Sequence, residues 1–159
     1  MNYIFDLDHT VIDSSHRQLT LADGSLDLAH WVENCTREKI FSDTLLPLAR
    51  DMRELIAKNR HVIICTARVL SRHDLDFLAH HGLACAVVLS RPEGDRTSDH
   101  LLKERLIREY CARQYMSFAN FCSRSVMFDD NKNVIAHLRG FNIQMVDAII
   151  YNDMLTNAA

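Results

Sequence analysis

The chain has no C-x-x-C pair, and its five cysteines, Cys35, Cys65, Cys85, Cys111 and Cys122, are scattered. An odd, dispersed set argues against a disulfide framework and against a cysteine zinc site. It fits reduced, buried thiols in a cytoplasmic protein. No apolar run is long enough to span a bilayer. No basic region followed by a long apolar segment opens the chain, so no signal peptide is expected. The nine histidines show no metal-ligand spacing. A basic tail or stripe is also missing, and the formal charge is −3. A dedicated nucleic-acid binder would carry such a stripe. Any anion must therefore be caught by a few placed cations. What remains is ordinary globular composition, 48% apolar and 25% charged, over a length that suits one domain with its own core.

Against these absences one stretch stands out, Tyr3-Ile4-Phe5-Asp6-Leu7-Asp8-His9-Thr10. An apolar run of aromatic and β-branched residues reads as a buried strand. Side chains alternate along a strand, so Asp6 and Asp8 leave its end toward one side. Two carboxylates so placed repel each other unless a cation or a proton sits between them. A strand ending in a solvated acidic turn would give the same pair.

The chain after it alternates. Residues 13–44 are polar and mixed, with a turn at Gly24 and one or two helical turns around Leu28–Val32. Trp31 reads as a packing residue, and the segment is long enough to be a lid or a binding loop. Pro47 marks an early helical position, with Asp43 and Thr44 as candidate caps. A second strand covers His61–Thr66, and a helix runs from about Ser71 to Gly82. A third strand covers Cys85–Leu89. A long helix starts at Ser98 or Asp99 and runs to about Gln114. The fourth strand is Ser125–Asp129, the next helix 131–139 is stopped by Gly140, and a fifth strand is expected at 143–149. The last residues read as a frayed tail.

Strands alternating with helices imply a parallel sheet covered on both faces. Ligands then bind beyond the carboxyl ends of the strands. Those ends carry Asp6 and Asp8, Thr66 and Arg68, and Asp129 and Asp130. This convergence lifts the first pair above an acidic turn. Taken one at a time, Thr66, Lys103 and Asp129-Asp130 have bland readings: a strand end, an exposed helix lysine paired with Asp99 at i, i+4, and a helix cap.

Together these motifs resemble the haloacid dehalogenase (HAD) superfamily. Its four motifs are similar, in order, to Asp6-Leu7-Asp8-His9-Thr10, Thr66-Ala67-Arg68, Lys103 and Asp129-Asp130. A closer likeness is to the phosphatase domain of phage polynucleotide kinase-phosphatase. There too a basic residue closes the second motif, as Arg68 does. A Gly-Asp turn, a carboxylate and a lysine precede a long helix there, as Gly94-Asp95, Asp99 and Lys103 do. His9 departs from the glycine most members carry, which implies local strain. No Gly-Lys-Ser/Thr loop is present, so no kinase half is expected.

The resemblance implies an α/β fold, a HAD-like Rossmannoid three-layer sandwich with a parallel five-stranded sheet and at most a minimal cap. It implies a single phosphatase domain over residues 1–159, with 13–44 as a small cap-like insertion or loop. It implies a Mg²⁺-dependent phosphomonoesterase. Asp6 would be the nucleophile and Asp8 the general acid and base. Asp6, the Asp8 carbonyl and Asp129 would hold the metal. Thr66, Ala67, Arg68 and Lys103 would bind substrate, with Thr66 and Lys103 assisting catalysis. Thr10, Asp99 and Asp130 would support these groups from behind. The expected substrate is a phosphorylated small molecule or a nucleic-acid end, either a nucleoside monophosphate or a terminal 3′-phosphate, with no membrane partner. Arg68, Arg91 and Arg96 are candidates to hold further phosphates. Two other readings stay open: a non-catalytic binder of a phosphorylated ligand, and a HAD phosphatase for a non-nucleotide metabolite.

Overall fold

The computed structural model describes residues 1–159. Five strands form one sheet: β1 (Asn2–Phe5), β4 (His61–Thr66), β5 (Val87–Ser90), β6 (Ser125–Asp129) and β7 (Gln144–Asp147). Their order is β5-β4-β1-β6-β7 and every pairing is parallel. The first strand thus lies at the centre, flanked by β4 and β6, and three site-bearing strands run side by side. Alternation along them feeds two cores. Ile4, Ile63, Cys65 and Met127 face one side, packed against α5 (Asp99–Arg113), α6 (Phe118–Cys122) and α7 (Lys132–Arg139). Phe5, Val62 and Ile64 face the other, against α3 (Leu48–Ala57), α4 (Arg72–His80) and α8 (Ala148–Asn157). The cores hold 17 and 14 buried residues, which makes this a three-layer sandwich with both faces filled. All five cysteines are free, as their scatter predicts, and burial pushes the Cys65 thiol up to about 12.

The 13–44 segment is more structured than its composition suggests. It leaves and returns through a small antiparallel pair, β2 (Ile12–Asp13) with β3 (Thr44–Leu45). Between them lie a 3₁₀ turn (Ser15–Arg17), α1 (Leu28–Glu33) and α2 (Arg37–Phe41). Asp27 and Thr36 cap the two helices by accepting from His30 and Lys39 N–H.

Several local expectations need correction. Neither Asp43 nor Thr44 caps α3: Asp43 is buried against Arg17, and Pro47 takes the capping position without a side-chain bond. Ser98 makes no cap bond on α5, and Asp99 turns to Arg91 instead. The helix α7 does stop at Gly140, as expected, with Gly140 right-handed and Asn142 left-handed at φ 66°. The short helix α6 carried too little periodicity to be read. Most consequentially, the fifth strand stops at Asp147 and the expected tail is the ten-residue α8. The expected strand includes Ile149, but Asp147 accepts from the N–H groups of Ile149 and Ile150 and starts a helix there.

That last helix holds the first loop. Asn152, buried on α8, donates Nδ2 to the Thr10 carbonyl at 2.9 Å and accepts from Leu48 N–H at 2.8 Å. The Leu48 N–H is one of the groups a helix start leaves unpaired. Replacing Asn152 with Ala strands a buried donor and a buried acceptor at about 1–3 kcal/mol each. Asn152→Ala should therefore lower unfolding stability by about 3 kcal/mol, measured by urea denaturation. A loss below ~0.5 kcal/mol would show that the clamp is dispensable.

Candidate active site

The three central strands end together, and their last residues build the site. Asp6 follows β1, Thr66 ends β4 and Asp129 ends β6. Lys103, one turn into α5, is 1% exposed and reaches between them. Its Nζ lies 2.7 Å from Asp129 Oδ2 and 3.2 Å from Asp6 Oδ1. It is thus no surface lysine, and Asp99, one turn earlier, bonds Arg91 rather than Lys103. Burial alone would lower the Lys103 ammonium, but Asp6 and Asp129 reverse this and hold it above its usual range.

One oxygen from each of Asp6, Asp129 and Asp130 lies within 4.8 Å of the others. One lysine cannot neutralise three crowded carboxylates. Burial lifts Asp6 above the usual carboxylate range against the pull of Lys103, and Asp8 adds to the rise. Burial, then the Asp6 charge, push Asp129 up to about 7 and Asp130 up to about 6. This all-oxygen, charge-rich donor set suits a hard divalent cation such as Mg²⁺. Asp130 was expected only behind the metal; its carboxylate stands among the candidate ligands.

Asp8 belongs to a second network. Arg68 grips it with two nitrogens, Nε to Oδ2 at 3.0 Å and Nη2 to Oδ1, while Ser14 Oγ donates to Oδ1. Burial would raise the Asp8 carboxyl, but the Arg68 guanidinium outweighs it and holds Asp8 below its usual value. A general acid must carry a proton, and the guanidinium disfavours one on Asp8 in the free protein. The third Arg68 nitrogen, Nη1, donates to Asp74 at 2.7 Å. All three nitrogens of Arg68 are therefore engaged within the protein, although a role in substrate binding was expected. Asp74 also closes a capping box with Ser71 at the start of α4.

The 13–44 segment joins this network. Arg17, 1% exposed, makes two 2.9 Å bonds to Asp43. Its guanidinium lies 4.1 Å from the Trp31 ring centre, with that of Arg68 at 5.3 Å. Trp31 is thus a packing residue for two cations. Arg91 donates to the Ala67 carbonyl, the Asp95 and Thr97 carbonyls and the Asp99 carboxylate. It fastens the 91–99 turn to the end of β4. Arg96 is exposed.

Thr66 Oγ1 accepts from Arg68 N–H at 3.1 Å, leaving its own proton to donate. Thr10 Oγ1 is buried and has no partner. His9 takes φ 56°, the left-handed conformation its glycine-like position demands, at a cost of about 1 kcal/mol. Sequence reasoning missed Ser14, Arg17, Asp74 and Asn152. Only Asp74 carried a local signal, the Ser71-x-x-Asp74 capping pattern.

This fold, with carboxylates, a lysine and a threonine gathered at the carboxyl edge of its sheet, is similar to a haloacid dehalogenase-like fold. A family model described as Bacteriophage T5 5′-deoxynucleotidase matches residues 1–159. The chain belongs to that family. It is 34% identical over 172 residues to the 5′-deoxynucleotidase of Escherichia phage T5, covering 96% of this chain and 69% of that protein. Among solved structures, it resembles the haloacid dehalogenase-like hydrolase SP0104 from Streptococcus pneumoniae. The TM-score is 0.62 at 12% identity, over 96% of this chain and 90% of that one. It also resembles a chain of the Pnkp1/Rnl/Hen1 RNA repair complex, with TM-score 0.59 and 19% identity, over 92% of this chain and 41% of that one.

Two predictions follow the two networks. Arg68→Ala leaves Asp8 and the buried Asp74 without their cation and should cost about 3 kcal/mol of stability. A loss below ~1 kcal/mol in denaturant titration would contradict this. Burial, then the Asp6 charge, hold the Asp130 carboxyl up at about 6, above its ordinary value of 3.8. The folded metal-free protein therefore holds that proton more tightly than the unfolded chain. Its contribution is favourable at low pH and is lost as pH rises through 4 to 6. In EDTA, Asp130→Asn should thus exceed the wild type in stability by on the order of 1 kcal/mol at pH 7.5, with the gap closing near pH 4. Saturating Mg²⁺ should reverse the order at pH 7.5. A wild type that is more stable in EDTA at every pH would contradict the crowding.

Proposed function

We propose that this protein hydrolyses the phosphomonoester of a nucleoside 5′-monophosphate through an aspartyl-phosphate on Asp6. The observation that carries the reading is the buried Lys103 bridging Asp6 and Asp129 at the edge where three strands end. The phage T5 relative's name supplies the nucleotide and the 5′ position.

Asp6 attacks phosphorus, and the bond to the ester oxygen breaks. Lys103 orients Asp6 and offsets charge on the transferring group, while Thr66 donates its free hydroxyl proton to a phosphoryl oxygen. Mg²⁺, held by Asp6, Asp129 and Asp130 with the Asp8 carbonyl as a further candidate, would screen the repulsion between carboxylate and phosphate. Asp8 gives a proton to the leaving oxygen. It then takes one from the water that attacks the aspartyl-phosphate, releasing phosphate and restoring Asp6. Arg68 keeps Asp8 ionised at rest, which suits the second step. An incoming phosphate dianion raises the proton affinity of Asp8 for the first. In this reading residues 1–159 act as one phosphatase domain and 13–44 as its small cap. The intact Asp6 and Asp8 argue against a pure binding protein. Engagement of Arg68 and Arg91 by carboxylates argues against a polynucleotide 3′-end, whose further phosphates would need free cations.

The reading is tested by phosphate release from deoxynucleoside 5′-monophosphates, sugar phosphates and 3′-phosphorylated oligonucleotides. Asp6→Asn and excess EDTA should each abolish release, and Lys103→Ala should slow it at least 100-fold. Asp8→Asn should impair alkyl esters more than nitrophenyl phosphate, whose leaving group needs no proton. Turnover by Asp6→Asn, or a sugar phosphate that exceeds every nucleotide in kcat/KM, would overturn it.

A further inference from the structure

Beside the catalytic loop lies a cleft of about 290 Å³, between that loop, the start of the 13–44 segment and α8. His9, Asp13, Leu46, Ile149 and Asp153 line it. His9, which lines the cleft, directly follows Asp8 in the chain, so the cleft abuts the loop that carries Asp6 and Asp8. The left-handed turn at residue 9 places a ring where a glycine would leave space.

The lining has two parts. Leu46 and Ile149 give apolar wall, and Ile149 is 46% exposed. Asp13 and Asp153 supply acceptors: Asp13 uses Oδ1 for Ser15, and Asp153 makes no bond within the chain. His9 Nε2 pairs with Gln18 Oε1 at 3.1 Å, while Nδ1 has no partner. No lysine or arginine lines the cleft, and two carboxylates do. A second phosphate is therefore excluded by charge, whereas a neutral ring with N–H donors and an apolar face is complemented. The volume lies near the lower end of small-ligand pockets, roughly 300 Å³, which is too small for an oligonucleotide.

From this we infer that the cleft is the nucleoside subsite: the base lies between Leu46 and Ile149, and Asp13 and Asp153 accept from its N–H groups. The assignment rests on the nucleotidase reading above and adds to it where the base is held. It also makes the substrate a monophosphate with no phosphate beyond the one removed.

The test compares a deoxynucleoside 5′-monophosphate with phenyl phosphate, which has no nucleoside. Ile149→Trp and Leu46→Trp each fill the cleft. In both, the ratio of kcat/KM for the nucleotide to that for phenyl phosphate should fall at least tenfold, with most of the change in KM for the nucleotide. Because a filled cleft could also disturb folding, the native cleft is probed in Asp6→Asn. There, adding the nucleotide with Mg²⁺ should shift the backbone amide resonances of residues 46, 149 and 153. A ratio within twofold of wild type in both tryptophan variants, or no shift at those amides on saturation, overturns the cleft assignment alone. A wild type that hydrolyses no nucleotide faster than phenyl phosphate overturns the nucleotidase reading, and the cleft assignment with it.

Discussion

The site depends on one buried cation, Lys103, placed between the carboxylates of Asp6 and Asp129. A buried ammonium is costly unless it is paired, and two buried carboxylates repel. Each makes the others tolerable. The sheet order supplies the geometry: β1 lies between β4 and β6, so Asp6 and Asp129 leave neighbouring strands at the same level. α5 packs over that edge and delivers the lysine from above. The balance is still incomplete, since Asp130 adds a third negative charge. The excess makes the edge receptive to a divalent cation without any further donor.

Around that centre several other cations have carboxylate partners. Arg17 is held by Asp43, Arg68 by Asp8 and Asp74, and Arg91 by Asp99. Arg105 pairs with Asp95 and Lys132 with Asp147. These pairs fix the walls of the site. An enzyme that reads a polyanion exposes its arginines. Here Arg17, Arg68 and Arg91 are taken up by internal carboxylates.

Much of the fold was legible in the residues. The five strands of the sheet, their parallel arrangement and the convergence of Asp6, Thr66 and Asp129 follow from apolar runs separated by helical spacing. The candidate site was visible because residues at strand ends meet whatever lies between them. The pairing of Arg68 was not. Asp8 and Arg68 are sixty positions apart, and no local pattern distinguishes a buried guanidinium from a solvated one. The same holds for Arg17, whose partner lies 26 residues on. The helix at 148–157 was missed because Ile149-Ile150 is β-branched, and its apolar residues lack a clean stripe. Its start is set by Asp147, a cap that reads equally well as the end of a strand.

The missed helix bears on how the site forms. Asn152 bonds the Thr10 carbonyl across 142 positions, so the loop that carries Asp6 and Asp8 is clamped by the last element of the fold. The loop holds His9 in a left-handed conformation and leaves the Thr10 hydroxyl without a partner. Neither feature is stable in an isolated segment. They persist because surrounding structure over-determines them. The loop carrying Asp6 is therefore tied to α8, and the same helix walls the cleft beside His9. The geometry of the carboxylate edge and of that cleft thus share one long-range contact.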